Sequence, residues 1–307
     1  MPGCFSLGRQ PQDCYKPLHG FSLVAQSVEQ VTVNHRVGGS SPSQGAIFRL
    51  THAVTFDSAS PAAPRTERTT YQERTAWIKR ADDNKVTIWH RLQVILARLI
   101  PLTLLRPTVP RLGAPALLGE AERLHLFAAK GFWVPTVLHS SERELILSDE
   151  GQTLKMALDG TPDISTRVIM LEHGAVMLAR LHSAQLAHGR PYTRDLLYDP
   201  ASGKVGFLDL EEDPQARMTL ADAQARDIWI YLCSAARHLD QDRGRINQLV
   251  QVYLQSRGIP LPTPLRTLTR ILRPLRWILS TIRCAGMGKD VKSAVTVNAV
   301  LETYLTT

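Results

Sequence analysis

The sequence predicts an α+β chain of two lobes, a small one that contains strands and a larger one that is mostly helical. Three observations predict it. A short β-type run over residues 69–81 gives way to helical spacing. Strand-like runs recur at 133–139 and 144–149. The second half reads as helices around one small hairpin that turns at Gly203. The chain has 307 residues, room for one two-lobed domain or two small ones at about 150 residues each. With 44% apolar and 21% charged residues, it can bury a sizeable core.

Residues 1–65 are expected to be disordered and foreign to the folded unit. Residues 1–70 hold only ten charged residues, many Ser, Gly and Pro, and no sustained apolar period, so burial cannot offset the entropy of ordering them. Residues 23–46 also resemble a translated tRNA gene. Residues 23–30 can be back-translated as a D-arm and residues 39–46 as a T-arm. This reads as an over-extended start, with the protein proper beginning between residues 50 and 70. The first residues lack the charged-then-apolar order of a signal peptide.

Residues 66–151 are expected to form the small lobe with a basic helical insertion, and residues 152–307 the helical lobe. In the small lobe, Trp77 and Ile78 lead into Lys79 on a strand. Ile88, Leu92, Ile95, Leu96 and Leu99 fall at helical spacing, and Pro101, Pro107 and Pro110 punctuate a loop. A helix over 117–130 stops at Gly131. In the large lobe, a helix over 164–187 carries Leu171, Ala175, Leu178 and His182 on one stripe. A strand over 204–210 and a helix over 224–238 follow. The cysteines (Cys4, Cys14, Cys233, Cys284) have no CxxC spacing, which excludes a disulfide scaffold and a zinc knuckle. No apolar run is long enough to span a membrane.

Charge narrows the partners. Lys and Arg number 36 against 28 Asp and Glu, a net +8 that favours anionic partners. The charge is segregated: residues 79–114 and 257–295 are basic, and residues 195–227 are acidic. In residues 264–283, Leu268, Ile271, Leu272, Leu275, Leu279 and Ile282 form a stripe opposite Arg266, Arg270 and Arg273. Such a helix either lies in an anionic membrane surface or packs on the core with its arginines outward. Nucleic acid is disfavoured, because the basic stretches offer only Trp89 and Trp277 for stacking.

Between Trp77 and Tyr231 a series of short motifs carries chemistry: AWIK ending at Lys79, EAERL from Glu120, ELILSDEG from Glu144, HGRPYTRD from His188, GFLDLEED from Gly206 and RDIW from Arg226. Read alone, Lys79 is a strand-end charge, Glu120 a helix N-terminal charge and Asp209 a turn residue. Read together, a lysine on a central strand is costly to bury without a carboxylate, and Glu120 shares a helix face with Leu124 and Phe127. Two carboxylates fourteen residues apart, Asp195 on a loop and Asp209 at a strand end, suit a hard cation.

The order of these motifs, over about half the chain, resembles the protein-kinase-like fold. It is most similar to the bacterial lipopolysaccharide-kinase group, which includes the Kdo kinases and lies near the RIO-type atypical kinases. The resemblance implies ATP and Mg²⁺ as cofactors. Lys79 and Glu120 would serve the phosphates, and the backbone around Ser148 and Asp149 the adenine. Asp195 and Asp209 would serve the metal, with Glu211 or Glu212 available for a second ion. His188, Arg190 and Asp195 would form the catalytic loop, and Asp227 would tie that loop down. The activity implied is phosphoryl transfer to a sugar, a lipid-linked saccharide or another small hydroxyl, in the cytoplasm or peripherally on the inner membrane. The alternatives are a non-catalytic pseudokinase that binds ATP and an atypical serine/threonine protein kinase.

The sequence departs from that family in two places. Arg190 stands where the family has its catalytic Asp, and Asp195 where it has Asn. Arg190 cannot accept a proton at neutral pH. No glycine-rich loop precedes Lys79, so phosphate cover falls to residues 66–74. Only eighteen residues separate Asp209 from Asp227, which disfavours a long, phosphorylation-gated activation segment.

Overall fold

The computed structural model describes residues 64–81, 113–281 and 289–305, with side chains omitted for 274–281, 289–291 and 305. The tRNA-like run, the helical spacing from Ile88 to Leu99 and the proline-punctuated loop lie outside the described residues. The described chain is α+β, as the periodicities predict: a four-stranded antiparallel sheet with one helix against it, then a mostly helical remainder holding a two-stranded hairpin.

The single strand expected over 69–81 is two. Strand β1 (Thr66–Tyr71) and strand β2 (Arg74–Arg80) pair in register from Thr66–Lys79 to Tyr71–Arg74. Gln72 and Glu73 make the turn at φ 48° and 64°, the left-handed pair whose twist matches a hairpin. Neither residue is a turn former, which is why the hairpin is silent in the sequence. Strands β3 (Val137–Ser140) and β4 (Glu144–Ser148) complete the sheet in the order β1-β2-β4-β3. Alternation gives β2 two different faces. Ala76 and Ile78 pack with Ile146 in a small cluster on one side. Trp77 and Lys79 lie on the other, opposite Leu147 and Leu145 of the main core.

Helix α1 (Ala114–Ala129) packs on that second face through Leu117, Glu120, Ala121, Leu124 and Phe127. Phe127, Phe132 and Phe207 meet with ring centroids 5.7–5.9 Å apart, which joins α1 to the helical part of the molecule. The chain continues through a short helix α2 (Leu154–Asp159) and the long helix α3 (Ile164–Ser183). Helix α3 ends four residues short of the expected boundary, and Gln185 leaves it at φ 61°. Strands β5 (Leu196–Asp199) and β6 (Lys204–Phe207) form the hairpin. The strand expected to reach residue 210 stops at Phe207, because Asp209 turns the backbone at φ 55°.

Helix α4 (Leu220–Ala236) starts before the expected residue 224, since the Thr219 hydroxyl accepts the Asp222 N–H and caps it. Helices α5 (Arg243–Arg257), α6 (Pro264–Thr281) and α7 (Lys289–Leu305) close the fold. In α6, Leu265, Leu268 and Leu272 are buried, whereas Arg266, Arg270 and Arg273 face outward. Ile271 of the same stripe is exposed. Among the described residues no helix is long and apolar enough to cross a membrane.

Helices α3 and α4 are in tight contact at Gly174. The Tyr231 hydroxyl donates to the Leu171 carbonyl, and a Cβ on Gly174 would sit 2.5 Å from that hydroxyl oxygen and 3.0 Å from the ring. Gly174→Ala is expected to lower stability by about 1–3 kcal/mol through overpacking, with partial recovery in Gly174→Ala/Tyr231→Phe. Urea-unfolding midpoints check both.

Candidate functional site

The site begins with where β2 delivers Lys79. The ammonium reaches Glu120 Oε1 of α1 at 2.6 Å and Asp209 Oδ1, beyond β6, at 2.8 Å. The Lys79 side chain is 14% exposed and that of Glu120 1%, so this pair is largely out of water. Burial alone would lower the pKa of Lys79, but Asp209 and then Glu120 outweigh it and raise the pKa. The ammonium is therefore fixed and charged at any physiological pH. The face-sharing of Glu120, Leu124 and Phe127 is what turns this carboxylate inward.

The loop from His188 to Asp195 is fastened from below. Asp227, fully buried on α4, accepts the N–H of His188 at 2.6 Å and that of Gly189 at 2.8 Å. It also faces His182 Nε2 at 3.3 Å, and the other nitrogen of that ring meets the Tyr253 hydroxyl at 2.6 Å. Asp227 is thus a mid-helix anchor for the loop backbone, not an N-terminal helix charge. Gly189 sits at φ +104°, and a Cβ there would crowd Glu212 at 3.3 Å, so the loop requires glycine at this turn.

His188 does not face a ligand. Its Nδ1 accepts the Arg190 N–H at 3.2 Å, so Nε2 carries the hydrogen and donates to the Leu208 carbonyl at 3.0 Å. Burial, partly offset by Asp227, holds its pKa down to about 4. His188 is a neutral strut between loop and hairpin.

Arg123 is a positioning residue that the sequence reading passed over. One turn beyond Glu120, its guanidinium donates to the carbonyls of Ala187, His188, Leu210 and Glu212. It thereby ties α1 to both segments that carry the acidic side chains. An arginine on the inward face of a helix, one turn from an inward Glu, was the available signal.

Arg190 is the departure with the largest consequence. Its Nη2 lies 3.2 Å from Asp209 Oδ2 and 3.7 Å from Glu211, and its Nη1 lies 3.5 Å from Glu212. Arg65 holds the other oxygen of Glu211 at 2.5 Å, and Arg226 that of Glu212 at 3.2 Å. Asp195 faces Arg194 at 3.4 Å through Oδ1, while its Oδ2 is buried with no hydrogen-bond partner. Burial, and then the Asp209 charge, push the Asp195 carboxyl up to about 7. Asp209 goes the other way: Lys79 and Arg190 outweigh its burial and hold it well below the usual carboxylate range.

Oxygens of Glu120, Asp209 and Glu211 lie within 4.8 Å of one another, the one such acidic group among the described residues with the spacing of metal ligands. Asp195, expected to share the metal with Asp209, is not in that group. These residues do not fit a divalent ion as they stand. Both oxygens of Asp209, both of Glu211 and Glu120 Oε1 already face a protein cation.

The segment after β4 is also engaged. The Ser148 hydroxyl accepts the Thr136 N–H and donates to Glu150, which in turn accepts the Trp133 indole N–H. Asp149 takes Arg68 of β1 through both guanidinium contacts, at 2.7 and 3.0 Å. The Ser148 and Asp149 side chains therefore brace the passage between sheet and helices.

No protein-family model matches the chain. It is 33% identical over 85 residues to an uncharacterized protein of Haemophilus influenzae, a match covering 27% of this chain and 34% of that protein. Among solved structures it is similar to the erythromycin complex of Rv3197 from Mycobacterium tuberculosis, with 14% identity and TM-score 0.36, over 80% of this chain and 71% of that one. It is also similar to vaccinia related kinase 3, with 13% identity and TM-score 0.33, over 67% and 82% of the two chains. Likeness at this level says nothing of activity.

Asp195 and His188 pull the pH dependence of stability in opposite directions. Asp195, raised from 3.8 to about 7, keeps a proton in the folded state that the unfolded chain has lost, so stability falls as pH rises through that window. His188, lowered from 6.5 to about 4, refuses a proton that the unfolded chain takes, so stability falls as pH drops through its window. Asp195→Asn is expected to raise stability by about 1–3 kcal/mol at pH ~8 and by little at pH ~4, exposing the acid-side loss due to His188. Urea midpoints across pH measure it.

Proposed function

We propose that this chain is a kinase-like nucleotide-binding protein that transfers a phosphoryl group from ATP to a small hydroxyl acceptor, a sugar or a lipid-linked saccharide. The observation that carries this reading is the Lys79 ammonium bonded at once to Glu120 and Asp209. A strand, a helix and the loop beyond the hairpin each bring one charged group to a largely buried point, and a cluster of that kind is a candidate for function.

On this reading, Glu120 orients Lys79 so that its remaining donor capacity meets the phosphates. Arg190, in place of a catalytic carboxylate, faces the same space and adds charge where the transferred group gathers it. Proton acceptance then falls to Asp195. Its carboxyl is held near neutral pH and keeps one oxygen unpartnered, which suits it to take the proton of an acceptor hydroxyl. As the acceptor oxygen bonds to the γ-phosphorus, the bond to the β–γ bridging oxygen breaks, ADP departs, and the proton rests on Asp195. Arg266, Arg270 and Arg273, outward on α6, give a basic face compatible with an anionic surface that presents such an acceptor.

A second reading, an ATP-binding module without turnover, is favoured by one observation: the guanidinium of Arg190 lies on Asp209. Calorimetric ATP binding and ATP hydrolysis by the full chain separate the two. The first reading expects binding with slow hydrolysis. Lys79→Met should weaken binding by at least about tenfold, and Asp195→Asn should leave binding but lower turnover by about 10²-fold. Binding without hydrolysis in the unsubstituted protein would select the second reading, and no binding would contradict both.

A further inference from the structure

Helix α6 presents a charged face that the cleft does not use. Leu265, Leu268 and Leu272 seat one side of it in the core, and Asn298 of α7 donates to the Thr269 carbonyl at 3.3 Å. These contacts fix its rotation. Arg266, Arg270 and Arg273 therefore leave the opposite side as one row, at the i, i+4, i+7 spacing of a single helix face, about 10 Å long. All three are exposed, and among the described residues none of their guanidiniums has an ion pair or a hydrogen bond. In this they differ from the arginines of the cleft, where Arg65, Arg190, Arg194 and Arg226 each face a carboxylate.

Two further observations point to the partner. Between Asp242 and Asp290 the sequence has nine Lys or Arg and no Asp or Glu, so nothing in this stretch neutralises the row. Ile271, at the edge of the same exposed face, is 37% exposed, and Ile259, in the segment that leads into α6, is 51% exposed. Unpaired guanidiniums call for anions, and their planar fork matches phosphate oxygens. Large apolar side chains nearby call for a partner that turns apolar just below its charge. The boundary between the headgroups and acyl chains of a bilayer offers both. A nucleic acid would offer phosphates to the arginines but little to an aliphatic isoleucine, since its bases stack on aromatic rings.

We infer that the outward face of α6 docks on a lipid bilayer that carries anionic headgroups, with Arg266, Arg270 and Arg273 on the phosphates and Ile271 at the acyl boundary. The contact is peripheral. Leu265, Leu268 and Leu272 stay in the core, and among the described residues no helix is long and apolar enough to cross a membrane. This goes beyond the nucleotide reading and does not depend on it, because none of these residues lies in the cleft.

The test is co-sedimentation of the full chain with phosphatidylcholine vesicles and with mixed phosphatidylcholine–phosphatidylglycerol vesicles. Binding should be at least about tenfold tighter to the mixed vesicles and should fall as salt rises. Arg266→Gln/Arg270→Gln/Arg273→Gln should lose about 10²-fold, near a factor of five per arginine. Ile271→Gln keeps the charge and should lose about threefold or more. Lys130→Gln/Arg143→Gln/Arg217→Gln removes the same charge from exposed positions elsewhere and should lose less than about threefold. Thermal melts establish that each variant is folded. ATP titrations should not distinguish the α6 variants from the unsubstituted protein, and failure of ATP to bind would leave this inference standing. No binding to the mixed vesicles, equal binding to both vesicle types, or equal losses in the two triple variants would overturn it. So would tighter binding of a short single-stranded oligonucleotide through the same three arginines.

Discussion

One ammonium group organises this molecule. Lys79 leaves a central strand, meets Glu120 at 2.6 Å on the helix packed against the sheet, and meets Asp209 at 2.8 Å from the far side of the cleft. A buried lysine without partners would give up its proton or unfold its strand. With two carboxylates it becomes a fixed positive point, and three segments distant in sequence must hold their places to supply them. The sheet register, the inward face of α1 and the turn at Asp209 all answer to that requirement.

The remaining contacts read as supports for this point. Asp227 takes two successive backbone N–H groups of the loop, and Arg123 takes carbonyls from the loop and from the segment after Asp209. One buried anion and one buried cation thus fix opposite sides of the same backbone. The neutral His188 fills the space between. What the supports hold is a cluster in which charge is balanced by protein groups. Asp195 is the exception, a carboxyl that burial and the Asp209 charge push up to about 7. Buried, imperfectly compensated acids lower stability, and such positions belong to function more often than to folding.

Much of this was legible in the residues. The spacing of Glu120, Leu124 and Phe127 was enough to turn Glu120 inward, and the resemblance carried by AWIK and EAERL paired Lys79 with Glu120; the direct contact of Lys79 with Asp209, expected instead to share a metal with Asp195, was not foreseen. The α+β class followed from periodicity. The β1–β2 hairpin was not legible, because its left-handed turn is made by Gln72 and Glu73, without the glycine or asparagine that advertises such turns. The early start of α4 was hidden behind a Thr cap inside a polar stretch. Helix α5 does carry a stripe, Ile246, Leu249, Val250 and Tyr253 at helical spacing, all of them buried. The place of Arg190 was read as a missing base. Only geometry shows where its guanidinium goes, since a side chain that long can reach several acids and spacing does not choose among them.

The claim under all of this is that Lys79 and Asp209 are energetically coupled across the cleft. A double-mutant cycle with Lys79→Met and Asp209→Asn, read by urea unfolding near neutral pH, measures that coupling directly. The account expects the double substitution to cost less than the sum of the single ones, with a coupling of at least about 1 kcal/mol. Strict additivity of the two substitutions would contradict it.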